Sequence, residues 1–315
     1  MDYVFCARNI RNGAFGNEPG STKFLEIPGN VNRVNPDQAI ARRAWLDRVM
    51  ALAKVRDNPN TGAAMGDVLI YIHGFNNTQA VMLERHRAIR KGLEAVGYKG
   101  IVVSFDWPSA SSALNYLEDR TDAKLTALRL VNDGIAPFSR FVQQDCEISV
   151  HVLAHSMGAY VLREAFDDAD DRPAVAATSW TIGQAMMCSA DISADSMGTT
   201  PKSSSLYRHC TRLTNYSNPY DAVLSISNVK RVGVSPRVGR IGLPSGAPRK
   251  SVNVDCGLYY DEHRDNFAGI TNSDHAWYFF DPNFLKDVYL TLLGEIDRES
   301  IPTRLIRDGR LYLRP

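Results

Sequence analysis

Short runs rich in apolar residues alternate along this chain with longer segments whose apolar residues recur every three or four positions. The runs fall at 68–72, 101–105, 148–153, 181–187, 212–216 and 252–258. The first two are apolar almost without interruption, and all have the length of strands buried within a sheet. Helical periodicity occupies 78–96, 113–131, 157–167 and 283–296, and Gly97 supplies a helix stop after the first of these. Strand and helix in alternation predict an α/β fold, a mostly parallel central sheet with helices on both faces.

The ends carry weaker patterns. Residues 1–27 read as irregular strands leading into the sheet, and 58–66 as a Pro/Gly/Asn linker. Asn35 followed by Pro36 reads as an N-cap and first helical residue, opening an amphipathic helix through about residue 55. Residues 305–313 alternate around Asp308-Gly309, a hairpin signal. The expected organisation is an N-terminal extension over 1–64 (strands plus the amphipathic helix, packed on the core), a principal domain over 65–297, and a tail over 298–315.

Charge removes several classes of partner. Lys and Arg number 36 against 35 Asp and Glu, a formal net charge of +1 over 315 residues, so no global field favours nucleic acid or an anionic membrane. No apolar stretch approaches the ~20 residues of a membrane span. The first residues lack the charged and apolar segments of a signal peptide, which makes the cytoplasm the expected compartment. Five scattered cysteines, Cys6, Cys146, Cys188, Cys210 and Cys256, form no C-x-x-C pair and read as buried thiols. His151 and His155 have a zinc-like spacing but fall on a strand with no accompanying glutamate, and the acidic group at Asp167, Asp168, Asp170 and Asp171 lacks a calcium loop's Gly and Glu. No phosphate-binding glycine motif occurs, so no cofactor or metal is expected.

The chemistry concentrates at Ala154-His155-Ser156-Met157-Gly158, directly after one strand and before a helix. A strand-to-helix turn this tight exposes the serine hydroxyl at a strained backbone position and demands small residues two places either side, here Ala154 and Gly158. Upstream, His73-Gly74-Phe75-Asn76 ends the first core strand. Acyl transfer needs backbone N–H donors for a developing oxyanion, one after the nucleophile and one from an early strand-end loop, and Met157 and Phe75 occupy those positions.

On these residues the chain resembles the α/β-hydrolase superfamily, and within it a bacterial esterase-like branch of largely unknown function. Also carrying the resemblance are Phe105-Asp106-Trp107-Pro108-Ser109 with Tyr116 and Asp119, then 215–221, and Asp274-His275. The resemblance covers about 65–297, with 3–28 also similar, and Ala154 stands where the superfamily motif usually has Gly. It implies a triad in the order Ser, acid, His: Ser156 as nucleophile, Asp221 as acid, His275 as base. Asp221 also reads as a helix N-cap after a Pro turn, with Asp191 and Asp195 in reserve as acid. His263 competes with His275 but has charged neighbours. His73 reads as an organiser of the oxyanion loop, His155 as an elbow flank, and His86 and His209 as surface residues.

Two features stay double-valued. Residues 222–254 contain Lys230, Arg231, Arg237, Arg240, Arg249 and Lys250 without one acidic residue, either a basic lip attracting anionic acyl substrates or an exposed loop. Trp107 and Tyr116 suit an acyl-pocket wall and plain packing equally. The expected function is a serine hydrolase of small carboxylic esters acting through an acyl-enzyme. Thioester or amide hydrolysis by the same machinery is the alternative within enzymes, and a binding module on a hydrolase scaffold the alternative outside them.

Overall fold

Along strand β5 (Ala64–Ile72), Val68, Ile70 and Ile72 face one apolar cluster while Leu69 and Tyr71 face another. Two-sided burial is the physical reason the run is apolar without alternation. The computed structural model describes residues 1–109, 116–142, 146–198, 203–229 and 235–315. The other strands are β1 (Asp2–Arg11), β2 (Ala14–Ile27), β3 (Ala39–Ile40), β4 (Lys54–Asp57), β6 (Ile101–Asp106), β7 (Cys146–His155), β8 (Ile182–Cys188), β9 (Cys210–Ser217), β10 (Ser251–Asp255), β11 (Arg304–Arg307) and β12 (Arg310–Leu313). They form one sheet in the order β11-β12-β10-β9-β8-β7-β5-β6-β1-β2-β3, with β4 paired to β5. From β12 through to β1 every neighbouring pair is parallel. Antiparallel pairing closes both edges, through β11 with β12 and through β1, β2 and β3.

Helices cover both faces. The first cluster collects Trp45, Leu46 and Val49 of α1 (Arg42–Ala53), Ala123 and Ala127 of α3 (Tyr116–Arg129), and Tyr160, Val161 and Phe166 of α5 (Met157–Asp170). The second takes Ile89 and Leu93 of α2 (Gln79–Ala95) together with Phe284, Leu285 and Val288 of the helix Pro282–Leu293. A π-helical segment, Leu130–Ile135, links α3 to α4 (Ala136–Val142). Among the described residues no helix is long and apolar enough to cross a membrane.

The structure departs from the sequence expectation at four places. The Asn35 cap is real, with Gln38 completing a capping box, but it opens only the 3₁₀ turn Pro36–Gln38. Ala39 and Ile40 then pair with Leu25 and Phe24, so the edge of β2 takes the chain before α1 starts at Arg42. The irregular strands expected over 1–27 do form, as β1 and β2 with two register shifts between them, and β1 enters the sheet beside β6. The last core strand stops at Asp255, whose side chain accepts from the Gly257 amide at 2.7 Å as the helix Gly257–His263 begins. His86 is fully buried on the inner side of α2, with Nδ1 2.7 Å from Ser104 Oγ, and His209 is half-buried, stacked on Trp180 and 2.6 Å from Asp170. The apolar faces of α2 and α5 enclose these two histidines, so neither is a surface residue. The expected hairpin around Asp308-Gly309 forms as β11 and β12.

Candidate active site

Because the parallel strands all point one way, their C-terminal ends share one edge of the sheet, where open α/β sheets bind ligands. β7 ends there at His155, and Ser156 follows at φ 54°, ψ −123° before α5 begins. Its amide donates to Cys188 O at 3.1 Å, and its carbonyl accepts from Ala159 N at 3.1 Å and Asp191 N at 3.0 Å. Those bonds tie the turn to the loop after β8. A Cβ on Gly158 would lie 2.5 Å from Ile72 O and 2.6 Å from His73 O, so the start of α5 touches the end of β5 and tolerates only glycine. Ala154 is fully buried at the end of β7.

Among the described residues, those with positive φ other than glycine are Asn12, Asn76, Ser156, Ser189, Asn272 and Asp308. Asn12 and Asp308 serve the two hairpin turns. The other four lie in the loops after β5, β7 and β8 and just before His275, which concentrates backbone strain on this one edge.

His275 and Asp221 meet there. His275 Nδ1 lies 2.7 Å from Asp221 Oδ2, with the carboxylate fully buried and the imidazole 9% exposed. The other oxygen, Oδ1, accepts from Leu224 N at 2.9 Å and caps the helix Ala222–Val229. One oxygen of Asp221 thus faces the His275 imidazole and the other caps a helix. Asn218 Nδ2 donates to Asp274 O at 2.7 Å, and Ala222 N to Asp274 Oδ2 at 2.6 Å, stitching the two loops together. His155 closes the arrangement. Its ring centroid is 4.6 Å from that of His275, and its Nε2 lies 2.8 Å from His275 O. Burial first, then the nearby His275 and Arg85, drive the His155 pKa well below the ordinary histidine value, so the neutral ring donates Nε2–H to that carbonyl.

The loop after β5 adjoins the serine, since a Cβ on Gly74 would stand 2.8 Å from Ser156 Cβ. Under it, His73 is fully buried, with Nδ1 2.9 Å from Gly74 O and Nε2 3.1 Å from Asp106 Oδ1. Trp107 stacks on His73 at 5.4 Å and donates to its carbonyl at 2.8 Å. Being fully buried, Trp107 props the loop from beneath and does not wall an open pocket. The side chain of Tyr116 lies outside the described residues. Phe75 is partly buried against the first core cluster, and Met157 opens α5.

The side chains of the other candidates have other partners. Asp191 is buried and paired with Arg237 Nε at 2.8 Å. Arg237 is itself buried, so it contributes neither to a basic lip nor to an exposed loop: the carboxylate of Asp191 draws it inward. Lys250 donates to Tyr207 O and Cys210 O, both at 2.8 Å, at the start of β9 and away from this edge. Lys230 and Arg231 lie outside the described residues. His263 stacks on Tyr259 at 4.2 Å, with Nδ1 2.9 Å from the Tyr259 carbonyl. Among the described residues no group of three or more His, Cys, Asp or Glu side chains is placed to hold a metal ion. A cleft of about 740 Å³ lies at the opposite end of the strands, lined by Asp67, His151, Gln184 and Arg212, and so is separate from Ser156.

Sequence reasoning missed Arg8, Asn77 and Asn218. The signal for Arg8 was a lone cation inside the apolar opening strand, and for Asn218 its place in the segment before Asp221.

Comparison with known proteins fits this architecture. A family model described as an alpha/beta hydrolase of unknown function (DUF900) matches residues 55–265. Among curated proteins, no sequence matches the chain. Similar solved structures include a hyperthermophilic esterase from the archaeon Pyrobaculum calidifontis, at 12% identity over 72% of this chain and 76% of that one, with a TM-score of 0.36. The RedJ thioesterase of the prodiginine pathway in Streptomyces coelicolor is 13% identical over 81% and 94%, with a TM-score of 0.36. A Trichoderma reesei cutinase is 11% identical over 81% and 91%, with a TM-score of 0.32.

Proposed function

The chain belongs to the alpha/beta hydrolase family of unknown function whose model spans residues 55–265, and from that membership we propose that it is a serine hydrolase cleaving small carboxylic esters. The observation that carries the reading is the 2.7 Å contact between His275 Nδ1 and Asp221 Oδ2 beside the strained Ser156 turn. A carboxylate on Nδ1 fixes the proton there and leaves Nε2 as the basic nitrogen. Ser156 Oγ attacks the ester carbonyl carbon as His275 Nε2 takes the hydroxyl proton. The tetrahedral oxyanion is held by the Met157 and Phe75 amides. Collapse breaks the ester C–O bond, His275 returns the proton to the departing alkoxide, and an acyl-Ser156 remains. Water then attacks the acyl carbon with its proton passing to Nε2, and Ser156 leaves as the hydroxyl with release of the acid. Asp221 faces Nδ1 throughout and stabilises the imidazolium.

The test is turnover of p-nitrophenyl acetate and butyrate by wild type and Ser156→Ala. The reading expects hydrolysis by the wild type and none above background in the variant. Equal rates in the two proteins, or a folded wild type inert to both esters, would overturn it.

A further inference from the structure

The family match begins at residue 55, yet a residue far upstream reaches the loop that carries Phe75. β1 runs parallel to β6, with Cys6 opposite Asp106, so its C-terminal end arrives at the same edge as those of β5 and β7. Between Cys6 and Ile10 the pairing with β2 slips twice, once on each side of Arg8. Such irregularities turn a side chain away from its regular direction, and they recur beside active sites. Gly20 accommodates this one: a Cβ there would lie 2.4 Å from Asn9 Cα and 2.5 Å from Arg8 O.

The guanidinium is delivered into a buried position, 2% exposed. Its Nε donates to Asp106 Oδ1 at 2.9 Å, the oxygen that also faces His73 Nε2. Nη1 donates to Asn17 Oδ1 at 3.0 Å and reaches Ser109 O at 3.4 Å, while Nη2 reaches Asn77 O at 3.4 Å. Ser109 Oγ in turn donates to Asn77 O at 3.1 Å and accepts from Asn77 N at 3.3 Å, and Asn77 Nδ2 donates to Gly74 O at 3.0 Å. The loops after β5 and β6 are thus joined to each other and to β1 through one planar fork. Burial pushes the Asp106 carboxyl up, but Arg8, His73 and Gln79 outweigh it and hold the group below the usual carboxylate range.

The geometry points to Arg8 as a positioning residue for the loop Gly74–Asn77, the N-terminal hairpin being a working part of the oxyanion site. The assignment rests on the hydrolase reading for its catalytic consequence, though not for the clamp itself. A lysine has one point of attachment where Arg8 has several, so it keeps the charge opposite Asp106 and gives up the fork.

Arg8→Lys and Ser109→Ala are compared with the full-length wild type by amide hydrogen exchange and by ester kinetics. Ser109→Ala leaves the buried ion pair intact and removes only the Ser109 Oγ bonds, which guards against a variant that fails to fold. Exchange should rise selectively across residues 75–77 in Arg8→Lys, whereas in Ser109→Ala the rise should be confined to Asn77, whose amide loses its Ser109 Oγ partner. Misplacing a donor by about 1 Å can cost ~100-fold, and the loss should fall on kcat with KM within about twofold, because the oxyanion forms only in the transition state. Unchanged exchange at 75–77 in both variants, or an Arg8→Lys loss confined to KM, would overturn the assignment. If wild type itself hydrolyses no ester, the hydrolase reading fails, and the exchange pattern alone then decides for or against the clamp.

Discussion

Asp221 divides its two oxygens between a helix cap and an imidazole, and that division sets what a conservative change would do. In Asp221→Asn the amide oxygen can still accept from Leu224 N, since Asn is as good a cap as Asp. The group facing His275 Nδ1 becomes a donor, which forces the proton onto Nε2 and removes the base. The expected outcome is an intact fold with kcat lowered by something approaching ~10⁴-fold, read by steady-state kinetics beside a thermal melt. Asp191→Asn should behave oppositely. It removes the charge of a buried pair with Arg237, and breaking such a pair costs about 3–5 kcal/mol, visible as a lower melting temperature with kcat of the folded protein little changed. The choice between these acids was open in the sequence because each follows a strand of the same sheet. Their partners lie on distant segments: Asp191 meets Arg237 and Asp221 meets His275, which is the contact the proposed acid role rests on.

At the scale of elements, β5 and β6 were legible because two-sided burial leaves an almost unbroken apolar run. What a terminal segment pairs with is not written locally. Residues 2–27 alternate weakly whether they lie on the core or enter the sheet, and Asn35-Pro36 caps a 3₁₀ turn with the same residues that cap a long helix. The place of β1 beside β6 yields a direct expectation. Deleting residues 1–27 exposes the edge of β6 and removes Val4, Phe5 and Leu25 from the core, so the truncated chain should be insoluble or bind a hydrophobic dye strongly. A soluble, cooperatively melting truncation would show β1 dispensable to the fold. The tight contact at the elbow gives a second: Gly158→Ala drives a Cβ into two backbone carbonyls, and such overpacking costs about 1–3 kcal/mol. Lower thermal stability together with slower ester turnover is expected, and an unchanged melt would contradict the contact.

Across the whole molecule, the buried charges give stability a defined response to acid. His155 and His86 are held neutral, their pKa values below the ordinary 6.5 chiefly because burial penalises the charged form. Below about pH 6.5 the unfolded chain takes up protons that the folded one refuses, so stability falls as pH drops through that value. Asp106 and Asp2 are also shifted down, burial being outweighed by Arg8 and His73 for the first and by His86 and Arg87 for the second. Their contribution is fully present above the unfolded carboxylate value near 3.8 and is lost below it. Melting temperature should therefore decline first between about pH 6.5 and 5, then again below about pH 4. A flat profile from pH 7.5 to 5 would contradict the neutral buried histidines. The central claim, that this sheet edge arms one serine, is tested most directly by intact-mass measurement after reaction with a fluorophosphonate. One covalent adduct at Ser156 in wild type and none in Ser156→Ala is the expected result. An unmodified folded wild type, or an adduct that persists in Ser156→Ala, would contradict it.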